Sequence, residues 1–357
     1  MKPPVAAARQ AAFEVLLRVA RGGHAPDLLR AVPLDARDAA LASEIVLGSL
    51  RYQAQLDFLI ARGSGRDPRR LDREVLTALR MGLYQLRYLD RVPAHAAVGE
   101  SVELVKRAGK RSAAGLVNAV LRKADREPVE WPDRATALSA PEWMLESWER
   151  QFGGEVAETI ARAFLAPPET YVGSTGRIQD IGSQSIVPLL ELRAGESFLD
   201  LCAAPGNKTA QALECGVRAV ACDVDGERLG RLRELGCPLV QLDGAERLPF
   251  SIRFDRILVD APCSGTGTLG RNPEIKWRVQ SSDLGRFQAR QARLLRNALE
   301  CLKPGGRLVY STCSLEREEN QDVVAQVATP WRVEQSVQRV PGVAPGDGFF
   351  AAVITSD

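Results

Sequence analysis

The hydrophobic pattern divides the chain near its middle. From Val5 to about Arg126, apolar positions recur at helical spacing and no run alternates as a strand would. Phe13, Leu16 and Leu17 share one face of a helix predicted over 11–20. Leu41, Ile45, Leu47 and Leu50 do so over 38–60, and Val75, Leu79, Leu83 and Leu86 over 71–89. Two further helices are expected over 96–108 and 114–124. Amphipathic helices joined by short loops predict an all-α bundle with its own core. Tyr52, Tyr84, Tyr88 and His95 read as packing residues of that bundle. Residues 126–141, with Pro128, Trp131 and Pro132, read as a linker. One or two helices follow over 142–165, and 166–177 reads as a loop rich in Pro and Gly.

From Ser183 the pattern changes to short apolar runs alternating with helices. Strands are expected at 197–201, 219–223, 238–243, 254–259 and 306–310, and two final antiparallel strands at 332–334 and 349–354. A helix is expected over 285–302, followed by a turn at Pro304-Gly305-Gly306. Serial βα units predict an α/β domain with a doubly wound parallel sheet and helices on both faces. The chain thus divides into a helical domain over 1–127, a linker with connecting helices over 128–176, and an α/β domain over 177–357.

At 357 residues the chain is long enough for two domains, and its composition is that of an ordinary globular protein. No apolar run is long enough to cross a bilayer, so no membrane partner is expected, and a cytoplasmic location is. Seven scattered Cys without a pairing framework fit reduced thiols. Two His and no Cys-x-x-Cys leave little room for a metal site, and none is expected. Charge is unevenly spread. Residues 1–140 hold 23 Lys and Arg against 16 Asp and Glu, a net +7, while the remainder is net −5. A basic front half suits an anionic partner such as nucleic acid, although solvated helix faces give the same count.

The chemistry gathers past the carboxyl ends of the predicted strands, the edge where open α/β sheets bind ligands. Cys263 follows one strand in Asp260-Ala261-Pro262-Cys263-Ser264-Gly265, and Cys313 follows the next in Ser311-Thr312-Cys313-Ser314. A lone Cys beside a strand is usually core; two at matched strand ends point to a reactive pair. The turn Cys202-Ala203-Ala204-Pro205-Gly206-Asn207-Lys208 after the first strand is small enough for backbone N–H groups to approach a ligand. It is neither a dinucleotide fingerprint nor a phosphate-binding Walker loop. Asp223, Asp243 and Asp260 end three further strands. Each alone could be a helix cap, but together they form an acidic edge that favours a cationic, ribose-bearing ligand such as S-adenosyl-L-methionine.

Cys202 to Thr209, Asp260 to Gly267, Arg271-Asn272-Pro273-Glu274-Ile275-Lys276-Trp277 and Ser311 to Ser314 resemble the motifs of the RNA cytosine-carbon-5 methyltransferases. Within these the chain resembles the bacterial 16S ribosomal RNA enzymes of the Sun or Fmu type, which carry a NusB-like helical RNA-binding domain in front. Val92 to Val98 and Ala114 to Arg122 are similar to that domain. The resemblance implies a Rossmann-like class I methyltransferase domain, S-adenosyl-L-methionine as methyl donor, 16S ribosomal RNA as partner, 5-methylcytosine as product and a monomeric enzyme. It implies Cys313 as nucleophile, Cys263 in product release and Asp260 on the cytosine. It further implies cofactor contacts from Cys202, Ala203, Ala204, Pro205, Gly206, Asn207, Lys208, Asp223, Asp243 and Asp260, and RNA phosphate contacts from Arg271, Lys276 and Arg278. Lys208 is expected either to lower the thiolate pKa or to serve the cofactor loop. The same chemistry on transfer RNA, and an assembly factor that kept the fold, are the alternatives. Asn207 stands where the family has Gly, and no Arg-Val-Asn segment precedes the sheet.

Overall fold

The computed structural model describes residues 5–327 and 329–356. They form two compact units. The first comprises the residues up to Leu145 together with Phe164–Ala166 and Leu269–Arg278. The second comprises Glu146–Ala163, Pro167–Thr268 and the residues from Val279 onward.

The first unit is built on helices α1 (Ala7–Val19), α2 (Ala25–Arg30), α3 (Ala36–Arg51), α4 (Gln53–Ser64), α5 (Arg73–Tyr88), α6 (Ala94–Arg107) and α7 (Ala114–Arg122). Phe13, Ile45, Leu56, Ile60, Leu79 and Leu104 are buried in its core, which is the apolar stripe of each helix turned inward. Asp35 caps α3 by accepting the Asp38 N–H at 2.8 Å, and Gly65 ends α4 in the left-handed conformation. The helix expected over 38–60 is broken at Tyr52, whose φ and ψ of −99° and 16° are not helical. Tyr52 stacks on Tyr88 at 4.2 Å, and Tyr88 on Tyr84 at 5.5 Å, so the break places a ring where an unbroken helix would not. α2 was not among the expected helices; Pro26 lies in its first turn, where Pro is compatible with a helix. His95 is exposed rather than packed.

The second unit is one seven-stranded sheet: β1 (Ser197–Asp200), β2 (Arg218–Asp223), β3 (Leu239–Gln241), β4 (Phe254–Asp260), β5 (Leu302–Thr312), β6 (Arg332–Arg339) and β7 (Phe349–Thr355), in the order β3-β2-β1-β4-β5-β7-β6. β1 to β5 are mutually parallel, and β7 runs antiparallel between β5 and β6. The central strands are continuous apolar runs because helices cover both faces. Leu199, Ile257 and Leu308 point into one core, and Phe198, Leu258 and Val309 into the other. The turn expected at Pro304-Gly305-Gly306 is instead a bulge inside β5: Phe254 pairs with Leu302, but Arg256 pairs with Arg307. The helix before it, Leu284–Glu300, ends two residues earlier than expected. Because β1, β2, β4 and β5 are parallel, their carboxyl ends share one edge of the sheet.

Candidate active site

The loops after β4 and β5 place the two cysteines side by side. Cys263 Sγ and Cys313 Sγ lie 3.3 Å apart, within hydrogen-bond range for thiols, and both residues are half-buried. The Cys313 partner and burial together hold the Cys263 thiol well above its ordinary pKa. At such a pair one sulfur serves as donor and the other as acceptor.

A carboxylate that no local sequence pattern singles out ties the two cysteine loops together. Glu319 is fully buried. One of its oxygens accepts the Ser264 N–H at 2.8 Å and the Gln291 amide at 2.9 Å; the other accepts the Ser314 hydroxyl at 2.6 Å and that of Ser264. Ser264 and Ser314 each directly follow a cysteine, so one carboxylate ties the two loops together. Further bonds lock them: the Gly267 N–H donates to the Cys313 carbonyl at 2.9 Å and the Leu315 N–H to Thr266 Oγ1 at 3.0 Å. Gln291 also donates to the Pro262 carbonyl at 3.0 Å, and Tyr310 donates its hydroxyl to the Glu319 carbonyl at 2.6 Å. Glu316 accepts from Ser147 Oγ at 2.6 Å and Trp148 Nε1 at 3.1 Å; burial pushes its carboxyl up to about 7.

Asp260, at the end of β4, is half-buried between the Lys208 ammonium at 2.6 Å and the Ser311 hydroxyl at 2.7 Å. Lys208 also lies 5.6 Å from the Phe349 ring centroid. Its charge is therefore directed at a carboxylate. The turn after β1 is drawn in by the Ala203 N–H on the Cys222 carbonyl at 2.8 Å and by the Ala204 N–H on Asp223 Oδ2 at 3.1 Å. The other Asp223 oxygen accepts the Asp225 N–H at 2.9 Å. Pro205 leads into Gly206, whose φ of 102° is left-handed; a Cβ there would meet Leu232 at 2.7 Å. Asn207 opens the helix Asn207–Leu213 and donates to the Ile178 carbonyl at 3.2 Å. Cys202 is half-buried, and burial raises its thiol well above the ordinary value. Asp243 Oδ1 accepts from the Arg290 guanidinium at 2.8 Å and from the Ala245 N–H at 3.0 Å.

Beside this turn Asp200 is buried, accepts from Thr209 Oγ1 at 2.7 Å, and has its carboxyl pushed up to about 7 by burial. Its Oδ1 is buried without a hydrogen-bond partner. An orphaned acceptor, a side-chain-free Gly206 and carboxylates on neighbouring strand ends fit a cationic ligand carrying hydrogen-bond donors. One expectation fails. Lys276 does not face solvent phosphate: it is 1% exposed and donates to the Arg51 and Ser139 carbonyls at 2.7 and 2.8 Å within the first unit. Burial lowers its pKa to about 7.

Five parallel strands with β7 inserted antiparallel between β5 and β6 are the fold of a class I S-adenosyl-L-methionine-dependent methyltransferase. The second unit matches the model described as 16S rRNA methyltransferase RsmB/F over residues 187–355, and the first matches the NusB family over residues 6–126. The chain is 32% identical over 388 residues to ribosomal RNA small subunit methyltransferase B of Klebsiella pneumoniae, covering 88% of this chain and 90% of that protein. It is 30% identical over 388 residues to the probable ribosomal RNA small subunit methyltransferase B of Bacillus subtilis, covering 88% and 87%. The chain belongs to this methyltransferase family. Among solved structures, one titled PH0851 is similar over all of both chains with a TM-score of 0.79 at 20% identity, which bears on the fold alone. A methyltransferase homologue from Pyrococcus horikoshii is similar over 64% of this chain and 100% of that one, with a TM-score of 0.53 at 25% identity.

Proposed function

We propose that this protein methylates carbon 5 of a cytosine in 16S ribosomal RNA through a covalent cysteine–cytosine adduct. The observation that carries the reading is the 3.3 Å approach of Cys263 and Cys313 at the edge where Asp260 ends β4. Carbon 5 of cytosine is a weak nucleophile. A bond from Cys313 Sγ to carbon 6 turns the ring into an enamine and directs electron density to carbon 5. S-adenosyl-L-methionine, held by the turn from Cys202 to Lys208 with Asp223 and Asp243, supplies the methyl group when bound. Asp260 accepts from the cytosine amino group, and Lys208, 2.6 Å from Asp260 Oδ2, orients it. Transfer of the carbon-5 proton to a water molecule then lets the carbon–hydrogen electron pair form the carbon-5–carbon-6 double bond, breaks the sulfur–carbon-6 bond, returns that bond's pair to Cys313 and restores the aromatic ring. Cys263, within hydrogen-bond reach of the departing sulfur, assists that release. The cytosine reaches Cys313 only when unstacked, so the target is an unpaired or extruded base. Residues 1–127, which carry the positive excess, bind the RNA, residues 128–176 connect, and residues 177–357 catalyse.

The test is methyl transfer from labelled S-adenosyl-L-methionine to unmodified 16S RNA and, separately, to a transfer RNA pool, with the product mapped by bisulfite sequencing. A single 5-methylcytosine in 16S RNA is the expected result. Label in transfer RNA alone would overturn the substrate. Cofactor binding without transfer to either RNA or to small-subunit particles would point to an assembly factor.

A further inference from the structure

The carboxylates at the cofactor edge are not equally engaged. Asp223 and Asp260 each receive a donor on both oxygens. Asp243, just past β3, receives two donors on one: Arg290 Nη2 at 2.8 Å and the Ala245 N–H at 3.0 Å both meet Oδ1. Among the described residues none donates to Oδ2. The side chain is 33% exposed and Oδ2 is not a buried atom, so a ligand can reach it.

The Ala245 bond is local, an Asp side chain turned back on the backbone two residues on. The Arg290 bond is not. It comes from the helix Leu284–Glu300, 47 positions along the chain, and no step of methyl transfer uses it. Neighbouring Gln291 donates to the Pro262 carbonyl and to Glu319, so adjacent residues of one helix serve the cofactor edge and the cysteine loops. The Arg290 charge also acts on the Cys202 thiol, against the rise that burial causes, which puts it within electrostatic reach of the turn after β1.

An aspartate carboxylate rotates broadly about its last bond, and its two oxygens are interchangeable. Two donors on Oδ1 remove that freedom and hold Oδ2 outward as a fixed acceptor. An acidic residue ending the second strand of a doubly wound sheet takes ribose hydroxyls, which assigns Asp223 to the sugar. β3 lies one strand further out, and the Leu242 N–H donates to the Asp223 carbonyl at 3.1 Å, so Asp243 falls to the base of the same nucleoside. Adenine carries an amino donor on carbon 6, its one exocyclic hydrogen-bonding group.

We propose that Arg290 is a positioning residue for the methyl donor: by holding Asp243 Oδ1 it presents Oδ2 to the 6-amino group of adenine, and so makes the site selective for a 6-aminopurine. The proposal rests on the assignment of Asp243 to the cofactor and is independent of which RNA is methylated. Calorimetry of the full-length protein tests it with S-adenosyl-L-homocysteine and with the analogue in which unsubstituted purine replaces adenine. The adenine ligand should bind about tenfold to a hundredfold more tightly, the scale of one hydrogen bond to a charged group. In Arg290→Ala the carboxylate regains its rotation, and that advantage should fall to about threefold or less, whereas Arg290→Lys, which keeps a donor for Oδ1, should retain most of it. In Asp243→Asn, Arg290 and the Ala245 N–H hold the carbonyl and turn the amide NH₂ outward, where it cannot accept, so the advantage should vanish. Both ligands weakened equally in Arg290→Ala, with the advantage intact, would overturn the proposal and leave Asp243 on the base. No advantage in the wild-type protein would overturn the Asp243 assignment as well, and that comparison needs no variant to fold.

Discussion

Replacing Glu319 separates positioning from chemistry at the cysteine pair. Its carboxylate serves two kinds of donor. The Ser264 N–H and the Gln291 amide can only donate, whereas the Ser264 and Ser314 hydroxyls can reverse direction. In Glu319→Gln, the amide carbonyl can therefore face the obligate donors while its NH₂ faces the two hydroxyls. That arrangement preserves all four contacts and removes a buried charge, so stability should change by no more than about 1 kcal/mol. Glu319→Ala leaves the Ser264 N–H and one of the two Gln291 N–H groups without an acceptor, the other keeping the Pro262 carbonyl. At roughly 1–3 kcal/mol for each unsatisfied buried group, the loss should be about 2–6 kcal/mol. The loops carrying Cys263 and Cys313 also lose their common anchor, and a misplacement of about 1 Å at a reacting atom can cost on the order of 100-fold in rate. The assay pairs denaturant unfolding with single-turnover methyl transfer at a temperature where both variants remain folded. The alanine variant should turn over at least tenfold more slowly than the glutamine variant. An alanine variant that is destabilised yet transfers methyl at the wild-type rate would refute the positioning role. A glutamine variant as unstable as the alanine one would refute the assignment of donors.

Three other substitutions address separate parts of the site. Cys313→Ala should abolish methyl transfer and retain S-adenosyl-L-methionine binding by calorimetry, whereas Cys263→Ala should accumulate a covalent protein–RNA band on a denaturing gel; absence of that band would remove Cys263 from product release. Gly206→Ala forces a Cβ against Leu232 at a φ of 102°, and the strain, about 1–3 kcal/mol, should weaken cofactor binding by tenfold or more without changing RNA affinity in a filter assay. Burial raises the Glu316 carboxyl from 4.5 to about 7, so between those values the folded protein holds a proton that the unfolded chain has released, and stability falls as pH rises from about 5 to 8. Glu316→Gln should flatten that decline by up to about 3 kcal/mol in denaturant unfolding at the two pH values. Asp200 has the same sign and is present in both proteins, so their difference isolates Glu316.

The strands were legible because a parallel sheet covered on both faces requires uninterrupted apolar runs, and Ile257-Leu258-Val259 and Leu308-Val309-Tyr310 are such runs. Errors arose where tertiary contacts outweighed local preference. The Pro304-Gly305-Gly306 segment has the composition of a turn, yet pairing on both sides keeps it within β5 as a bulge. Tyr52 has no local reason to end a helix; its stacking on Tyr88 and its tilted contact with Tyr84, some thirty residues away, supply one. Lys276 reads as a surface cation by residue type alone. The Arg51 and Ser139 carbonyls that receive it come from 225 and 137 positions away, a separation that no local pattern encodes.

The same contrast divides the candidate site. The cysteines were visible because each sits in a short turn directly after a strand, where local sequence specifies conformation. Glu319 was not, although Ser314 and Glu319 are only five residues apart. Its acidic neighbours, Glu316 and Glu318, make it look like one member of a solvated charge run, and only the fold turns it inward toward Ser264 and Gln291, 55 and 28 positions away. A buried carboxylate with four donors is the less expected outcome for a Glu-Glu-Asn sequence, because burying a charge is unfavourable unless nearly every lone pair is satisfied. Here the satisfied carboxylate joins two loops that the Gly267–Cys313 and Leu315–Thr266 hydrogen bonds also tie together. Local sequence thus supplies the reacting atoms, and a non-local polar network holds the two sulfurs at 3.3 Å. That division predicts where mutational sensitivity should lie: removing a cysteine should change which step fails, whereas removing a network member should slow every step that needs both sulfurs in register.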